Sequence, residues 1–179
     1  MNKLILVLIL LALPAAAAAR TWQVVPDKST LTFTGEYQNA PFKGEFRHFQ
    51  ADIAYDPANL ASAKFDVTVT LGSVDTQSDE RDQTLEGSDF FATKTYPKAH
   101  FVTRSFERGG DGKVIAHGSL DLHGKQHPVD LDVDFNQQGD GAVLEVSTTL
   151  NRLDYDLGAS EDWSDITRQI PVHAHLTLR

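Results

Sequence analysis

The sequence has no cysteine, and this absence excludes several kinds of chemistry at the outset. Disulfide bonds, thiolate metal sites and cysteine nucleophiles all need this residue, so an exported domain without it is held together by its core alone. Basic side chains are also scarce, because 16 lysines and arginines stand against 25 aspartates and glutamates. An acidic surface repels phosphate backbones and anionic lipid head groups, which argues against nucleic acid as a partner.

Apolar runs long enough to cross a membrane as a helix are absent as well. The longest run, residues 4–13, has ten residues, whereas a spanning helix needs roughly 20. Lys3 precedes this run and five alanines, Ala15–Ala19, follow it. A basic start, an apolar stretch and small side chains at the cleavage point are the three parts of a secretory signal peptide. We therefore predict a signal peptide over residues 1–19, cleaved after Ala19, and a single mature domain over residues 20–179.

The mature part has the alternation that is typical of β-strands. Apolar and polar side chains alternate with a period of two, and Gly, Pro, Asn and Asp interrupt them at strand-and-turn intervals. The pattern predicts strands over residues 30–34, 48–55, 63–71, 99–106, 113–122, 129–135, 142–150 and 169–178. Such a succession indicates an antiparallel barrel or a sandwich. The ten phenylalanines suit either a filled core or a hollow barrel.

One segment, residues 78–86, lacks this alternation and begins with cap-type residues followed by acids. Ser78 or Asp79 is suited to cap a helix, and negative charge in the first turn favours the helix dipole. Gly87 is suited to end the helix. We predict a short helical insert here.

Several short motifs occur in a fixed order along the mature chain. They are Ala-Pro-Phe-Lys-Gly-Glu-Phe at 40–46, Asp-Ile-Ala-Tyr-Asp-Pro at 52–57, Glu-Arg-Asp at 80–82 with Leu85, Ser-Asp-Phe-Phe at 88–91, Tyr-Pro-Lys-Ala-His-Phe at 96–101, Gly-Ser-Leu-Asp-Leu-His-Gly at 118–124, Pro-Val at 128–129, Leu-Asn-Arg-Leu-Asp-Tyr at 150–155, and Gly158 before Trp163. Together they resemble the YceI family of periplasmic lipocalin-like proteins. The resemblance implies an all-β, lipocalin-like eight-stranded antiparallel β-barrel with a short helical insert. It also implies an interior that holds an extended apolar chain, such as a quinone tail or a prenyl phosphate.

The resemblance also bears on partners. The Ala-Pro-Phe motif and the Arg-x-Asp-aromatic motif at 152–155 are similar to those of the branch found beside or fused to membrane cytochromes of the b type. A b-type cytochrome of the inner membrane is therefore a possible separate partner. The family offers no compact catalytic motif, so we predict a periplasmic, non-enzymatic carrier of an isoprenoid lipid, a quinone or a polyprenyl chain, without a cofactor. A homodimer is possible, because a partner can close the mouth of a barrel.

The lipid pocket is predicted from the alternation and from the loops. In a barrel the shared apolar faces point inward, and loop aromatics can gate the mouth. The predicted pocket residues are Leu31, Phe33, Phe42, Phe49, Ile53, Phe65, Val67, Val69, Phe90, Phe91, Phe101, Leu120, Val133, Leu144, Trp163 and Ile170.

Two polar pairs are candidates for either a structural role or a contact with the head group of a ligand. Arg81 and Asp82 lie in the predicted helix, where we favour a salt bridge beneath the helix. Arg152 and Asp154 alternate on a predicted strand face, and we favour a role in stapling the loop at 156–163.

Histidines supply an alternative hypothesis. His123 and His127 flank a predicted hairpin turn, and His173 and His175 share one face of the last predicted strand, roughly 6.5–7 Å apart along it. Two histidines without a third ligand make a weak metal site, so we predict no metal. A metal-binding stress protein, which would hold stoichiometric metal, and a β-sandwich protein-interaction module, which would expose a large apolar patch, remain the alternatives.

Overall fold

The structure is a computed structural model that describes residues 19–179, so the predicted signal peptide lies almost wholly outside the described residues. The described part contains one short α-helix, α1 (Asp79–Glu86), and short 3-10 turns. Its eleven strands are β1 (Thr21–Trp22), β2 (Thr30–Tyr37), β3 (Ala40–Phe46), β4 (Phe49–Ala54), β5 (Lys64–Thr70), β6 (Val74–Asp75), β7 (Lys98–Arg108), β8 (Val114–Leu122), β9 (Lys125–Gln138), β10 (Gly141–Asn151) and β11 (Gln169–Leu178).

The strands form one antiparallel sheet that curls back on itself. The pairing order is β1-β4-β5-β7-β8-β9-β10-β11-β2-β3-β6. It returns to its start because only Arg47 and His48 separate β3 from β4, and only Leu71–Ser73 separates β5 from β6. If each bent strand is counted once and the two-residue β1 is set aside, eight strands surround one interior. The predicted barrel class is confirmed, and one curled sheet takes the place of the two packed sheets of the sandwich alternative.

Strand β3 is the main element that the alternation did not indicate. Pro41 and Gly44 interrupt its pattern, yet the segment pairs with β2 from Thr32–Glu45 to Tyr37–Ala40. Pairing is possible because β3 needs no side chain at Gly44, where the ring of Phe33 occupies the space of a Cβ atom.

Tight turns fix the hairpins. His123 and Gly124, which link β8 to β9, have φ angles of 54° and 71°, as a type I′ turn requires. His123 therefore lies in the turn itself, whereas the sequence predicts that it flanks the turn. Gln38 and Asn39, with φ angles of 52° and 62°, link β2 to β3 in the same way.

The predicted helical insert is confirmed as α1. Ser78 is its N-cap, because the Ser78 hydroxyl accepts a hydrogen bond from the Arg81 backbone N–H at 3.4 Å. The Asp82 carboxylate accepts hydrogen bonds from the backbone N–H and the hydroxyl of Thr76, at 2.9 and 2.6 Å. These bonds attach the first turn of α1 to the end of β6, and Leu85 is the buried residue of the helix.

Two groups of buried side chains form the core. The plug cluster contains Trp22, Ile53, Tyr55, Phe65, Val114, Ala116, Val133, Ala142, Leu144, Leu176 and Leu178. The helix-end cluster contains Phe33, Leu71, Val74, Leu85, Phe90, Phe91, Ala99, Leu122, Tyr155 and Leu157. Within residues 19–179, no helix has the length and apolar character needed to cross a membrane.

Candidate functional site

A cavity of about 240 Å³ lies inside the barrel between these two clusters. Almost every strand contributes to its wall, through the inward-facing residues of the alternation. Along β10 the wall runs from Leu144 to Leu150, which corresponds to roughly 20 Å of strand. A volume this small over that length describes a slender channel, since ligand pockets commonly measure roughly 300–1,000 Å³.

The structure brings most of the predicted pocket residues together around this channel. Those that line it are Leu31, Phe33, Phe42, Phe49, Ile53, Phe65, Val67, Val69, Phe90, Phe91, Phe101, Leu120, Leu144 and Ile170.

Two predicted pocket residues do not line the channel. Val133 does point inward from β9, but it packs in the plug cluster, beyond the point where the channel ends. The Trp163 indole N–H donates a hydrogen bond to the Asp89 carboxylate at 3.0 Å, and its ring packs on Phe90 with the centroids 5.0 Å apart. Trp163 therefore covers a lining residue from outside, because the loop that carries it runs across the end of the barrel.

The sequence predictions also missed wall residues, of two kinds. One kind continues strand faces that were already recognised, so the alternation could have identified them: Ala51, Leu71, Ala99, Leu122, Val129, Leu131, Val146, Leu150, Val172, Ala174 and Leu176. The other kind lies in turns, helices or the loops between strands, where no period marks the inward face: Leu85, Tyr155, Leu157 and Ile166.

Aromatic rings close one end of the channel. Tyr55 lies at their centre, with its ring centroid 5.7 Å from that of Phe65, 5.9 Å from that of Phe106 and 5.0 Å from that of Phe135. The Trp22 indole N–H donates to the Tyr55 carbonyl oxygen at 2.9 Å. This end is a packed plug.

The opposite end is covered by α1 and by the loops around it. The Phe46 ring links Phe33 and Phe91, at centroid distances of 5.4 and 5.8 Å. Leu85 reaches the channel from α1. Tyr155 also lines this end and is buried, and its hydroxyl has no hydrogen-bond partner among the described residues. Burial raises the pKa of Tyr155 to about 12, so the hydroxyl stays protonated at neutral pH.

Arg152 holds the loop that follows β10. Its guanidinium is buried and has five N–H groups. They donate, at 2.5–3.1 Å, to the carbonyl oxygens of Leu157, Gly158, Trp163, Ile166 and Thr167. Burial lowers the pKa of Arg152, and the charge of Arg168 adds to this effect. Every donor is used within the protein, so Arg152 is a staple and has none left for a ligand.

The other polar candidates have structural partners too. Asp154 accepts a hydrogen bond from the Asn151 side-chain amide at 2.8 Å. Arg152 and Asp154 belong to a 3-10 turn capped by Asn151, so the expectation that they alternate on a strand face is wrong.

The expected salt bridge beneath α1 is also wrong for the described residues. Asp82 bonds to Thr76, as given above, and Arg81 Nη2 donates to the Thr76 carbonyl oxygen at 2.8 Å. The guanidinium carbon of Arg81 lies 5.1 Å from the centroid of the Phe42 ring, within the range of a cation–π contact. Arg81 therefore packs on a channel residue.

The histidine pairs make contacts of a different kind. His123 Nδ1–H donates to the Tyr155 carbonyl oxygen at 2.9 Å, and the His127 ring packs against the Tyr155 ring. His175 Nδ1 lies 2.6 Å from Glu145 Oε1, and His173 Nε2 lies 3.1 Å from Glu145 Oε2, which accepts no hydrogen bond in proper geometry. In the described part of the chain, no group of three or more His, Asp or Glu side chains is arranged to hold a metal ion.

A curled antiparallel barrel around a slender apolar channel is the architecture of a lipocalin-like binding protein, in which eight strands leave room for one small ligand. This chain belongs to the YceI family, since the family model described as the YceI-like domain matches residues 22–178. The resemblance of the motifs to that family is thereby confirmed.

Comparisons with individual proteins agree. Protein YceI of Escherichia coli O17:K52:H18 (strain UMN026 / ExPEC) is 39% identical over 97 residues, which are 54% of this chain and 50% of that protein. The chain thus spans about half the length of the curated relatives it matches first. The crystal structure of BcnA from Burkholderia cenocepacia superposes with a TM-score of 0.82 at 26% identity, over 87% of this chain and 99% of that one. A polyisoprenoid binding domain from Saccharophagus degradans superposes with a TM-score of 0.68 at 18% identity, over 90% of this chain and 98% of that one, which shows a shared fold.

Proposed function

We propose that this protein binds one isoprenoid lipid, with the apolar tail extended along the channel, and carries or buffers that lipid in the periplasm. The observation that carries the proposal is the channel itself. It is slender, plugged at one end by aromatic rings, and walled almost entirely by apolar side chains.

The physical chemistry of the channel favours a chain over a rigid ring system. Each buried methylene of a tail contributes about 0.8 kcal/mol from the hydrophobic effect. This gain in free energy grows with the length of the tail and needs few hydrogen bonds. A long channel wall with few polar atoms is suited to it. Fused rings would need a wider interior than about 240 Å³ over this length.

One structurally similar domain supports the same ligand class. The structurally similar domain of Saccharophagus degradans is described as polyisoprenoid binding. Within the class, we propose a quinone, which the protein would deliver to or receive from a membrane enzyme such as a b-type cytochrome. The acidic composition and the predicted signal peptide support a released, water-soluble carrier. The carrier role needs no catalytic group, and a homodimer that covers the mouth is compatible with it.

A bulky substitution inside the channel tests the proposal. Val146 lines the channel from β10, and Val143 on the same strand does not line it. We expect Val146→Trp to abolish binding of geranylgeraniol, measured by displacement of a fluorescent prenyl probe, because the indole fills the channel. Val143→Trp, the matched control, should bind as the unmodified protein does.

Two results would count against the proposal. Failure of the unmodified protein to bind geranylgeraniol would contradict a tail-binding channel. Equal affinity for a straight-chain alcohol of the same carbon number would contradict the isoprenoid preference and leave a general lipid carrier.

A further inference from the structure

The wall of the barrel has a gap between β2 and β11, on the side of the helix-end cluster. The two strands pair in register from Thr30–His175 to Phe33–Val172. Pairing resumes, shifted in register by two residues, at the bridge between Tyr37 and Ile166, where the Thr167 N–H donates to the Glu36 carbonyl oxygen at 3.1 Å. Between these points the register of the paired segment would put Pro171 opposite Thr34, and proline has no N–H to donate to a neighbouring strand.

An open cleft of about 570 Å³ lies over this gap on the outside of the barrel. Its walls are outward-facing side chains of β2, β3 and β11, among them Thr34, Lys43 and Gln169. It also reaches two inward residues, Gly35 and Phe42. Phe42 lines the inner channel as well, so the cleft and the channel meet at this residue.

We propose that this cleft is the subsite for the polar head of the lipid, and that the tail passes into the channel beside Phe42; the proposal rests on the proposed function. The channel offers the head little room, and its polar groups besides Arg152 are the hydroxyls of Ser147, Thr148 and Tyr155. It is too slender for a substituted ring, and the five N–H groups of Arg152 are all bonded to backbone carbonyls.

The cleft, in contrast, has the hydrogen-bond donors that a carbonyl-bearing head needs. The Lys43 ammonium, the Thr34 hydroxyl and the Gln169 amide line it. These three side chains are exposed. Each can donate to an oxygen acceptor, the ammonium most strongly because it is charged.

The charges of the cleft select among head groups. Lys43 and Glu36 both line it, so their charges offset each other, and Glu45 adjoins Lys43 along β3. A diphosphate would meet the Glu36 carboxylate, whereas an uncharged quinone ring would gain the donors without that repulsion. The structure therefore assigns the cleft to a neutral head with carbonyl oxygens.

Phe42 is held at this boundary from two sides. Arg81 packs on its ring, as described above. A Cβ atom at Gly35 would lie 2.9 Å from Phe42 Cζ and 3.5 Å from Ile170 Cδ1. The Phe42 ring can therefore occupy this position because Gly35 has no side chain. The passage is thus set by one glycine and one ring.

Head-group selectivity tests the subsite. The probes are a para-benzoquinone with a farnesyl tail, farnesyl diphosphate and the headless hydrocarbon farnesene, each titrated against residues 20–179 by calorimetry. We expect the quinone to bind about tenfold more tightly than the hydrocarbon, as one or two hydrogen bonds allow, and more tightly than the diphosphate. The double variant Lys43→Met with Gln169→Leu should lose the advantage of the quinone and keep its affinity for farnesene.

Matched controls separate the outcomes. Gln50 and Lys98 are exposed residues of β4 and β7 on another part of the wall, so Gln50→Leu with Lys98→Met should change no affinity. A quinone advantage that survives the cleft variant, or a preference for the diphosphate, overturns the head-group assignment while farnesene binding upholds the tail channel. Absence of binding by all three probes overturns the proposed function and the subsite with it.

A kinetic variant tests the passage. Gly35 has an ordinary backbone conformation, so Gly35→Ala adds only a methyl group against Phe42. We expect association and dissociation of the farnesyl quinone both to slow, by about tenfold, with the dissociation constant little changed. A change in the dissociation rate alone would overturn the passage, because it would show that Phe42 is only a wall.

Discussion

The ring of Phe33 lies over Gly44 and occupies the space where a Cβ atom at that position would stand. The two residues face each other directly across β2 and β3. The Phe101 ring occupies the Cβ space of Gly118 in a similar way, although Phe101 lies opposite Leu120 and reaches Gly118 diagonally. Because each ring lies against a bare stretch of backbone, phenylalanine can line the barrel without filling it. The pairing of glycine with phenylalanine therefore helps to keep the channel open.

Adding a methyl group at Gly44 should destabilise the fold. The substitution Gly44→Ala places a Cβ atom inside the Phe33 ring, and overpacking of this kind costs about 1–3 kcal/mol. Urea unfolding followed by tryptophan fluorescence measures the change. Gly72 has open space around it, so Gly72→Ala should shift the free energy of unfolding by less than about 0.5 kcal/mol. Equal effects of the two substitutions would contradict the close packing of Phe33 on Gly44.

Loss of the Arg152 side chain should be far more costly than loss of an exposed arginine. Arg152→Met leaves five carbonyl oxygens without their donor, and we expect a loss of at least about 3 kcal/mol in the free energy of unfolding. The matched control is Arg104→Met, since Arg104 is exposed on β7. A stable Arg152→Met variant that bound lipids less tightly would contradict the staple and favour a contact with the head group.

His117 should titrate above its ordinary range. His117 Nδ1–H donates to Asp130 Oδ1 at 2.7 Å, and Glu107 Oε2 lies 3.4 Å from Nε2. The hydrogen bond to Asp130 is the main cause that raises the pKa of His117 from 6.5. The protonated ring is favoured in the folded state, so its contribution to stability is present below pH 6.5 and is lost as the pH rises through the raised value.

The imidazole resonances of His117, followed by NMR against pH, measure this shift directly. Asp130→Asn should return the midpoint toward the ordinary value, whereas Asp132→Asn, the next outward carboxylate of β9, should leave it nearly unchanged. A midpoint that both variants move equally would point to general surface charge in place of the specific bond.

Tyr155→Phe should stabilise the protein. The substitution keeps the ring and removes a buried hydroxyl that has no described partner, which costs about 1–3 kcal/mol where it is left unpaired. The variant should also lose the tyrosine absorbance change that titrates near pH 12. Tyr96→Phe alters a partly exposed residue and should be neutral. A less stable Tyr155→Phe variant would indicate that the hydroxyl is bonded to an internal water or a ligand.

The inward-facing residues of most strands could be predicted from the sequence, because apolar and polar side chains alternate with a period of two. Faces such as Phe65, Val67 and Val69 follow directly from it, because inward and outward positions alternate strictly along a strand. Strand β3 was not predicted, because Pro41 and Gly44 interrupt its alternation. Its pairing depends on the Phe33 ring over Gly44, and Phe33 belongs to another strand. The alternation within one strand does not indicate contacts with side chains of another strand.

The ends of the channel were harder to predict than its wall. Val133 has the periodicity of an inward-facing residue. Whether Val133 lines the channel depends on how far the aromatic plug extends, and that is set by Trp22 and Tyr55. Tyr155 and Arg152 lie in a turn, where no period marks the inward side. A role in stapling the following loop was predicted for Arg152, but its partners, up to 15 positions away, are evident only from the structure.

The most direct test of the account is to identify what the native protein contains. The chain with residues 1–179 would be expressed in a Gram-negative host, purified without detergent, and extracted with organic solvent for mass spectrometry. The account predicts one isoprenoid quinone in near-stoichiometric amount, and none from the Val146→Trp variant prepared in the same way. Recovery of no lipid, or of the same lipid in the same amount from the Val146→Trp variant, would contradict the claim that this channel holds an isoprenoid chain.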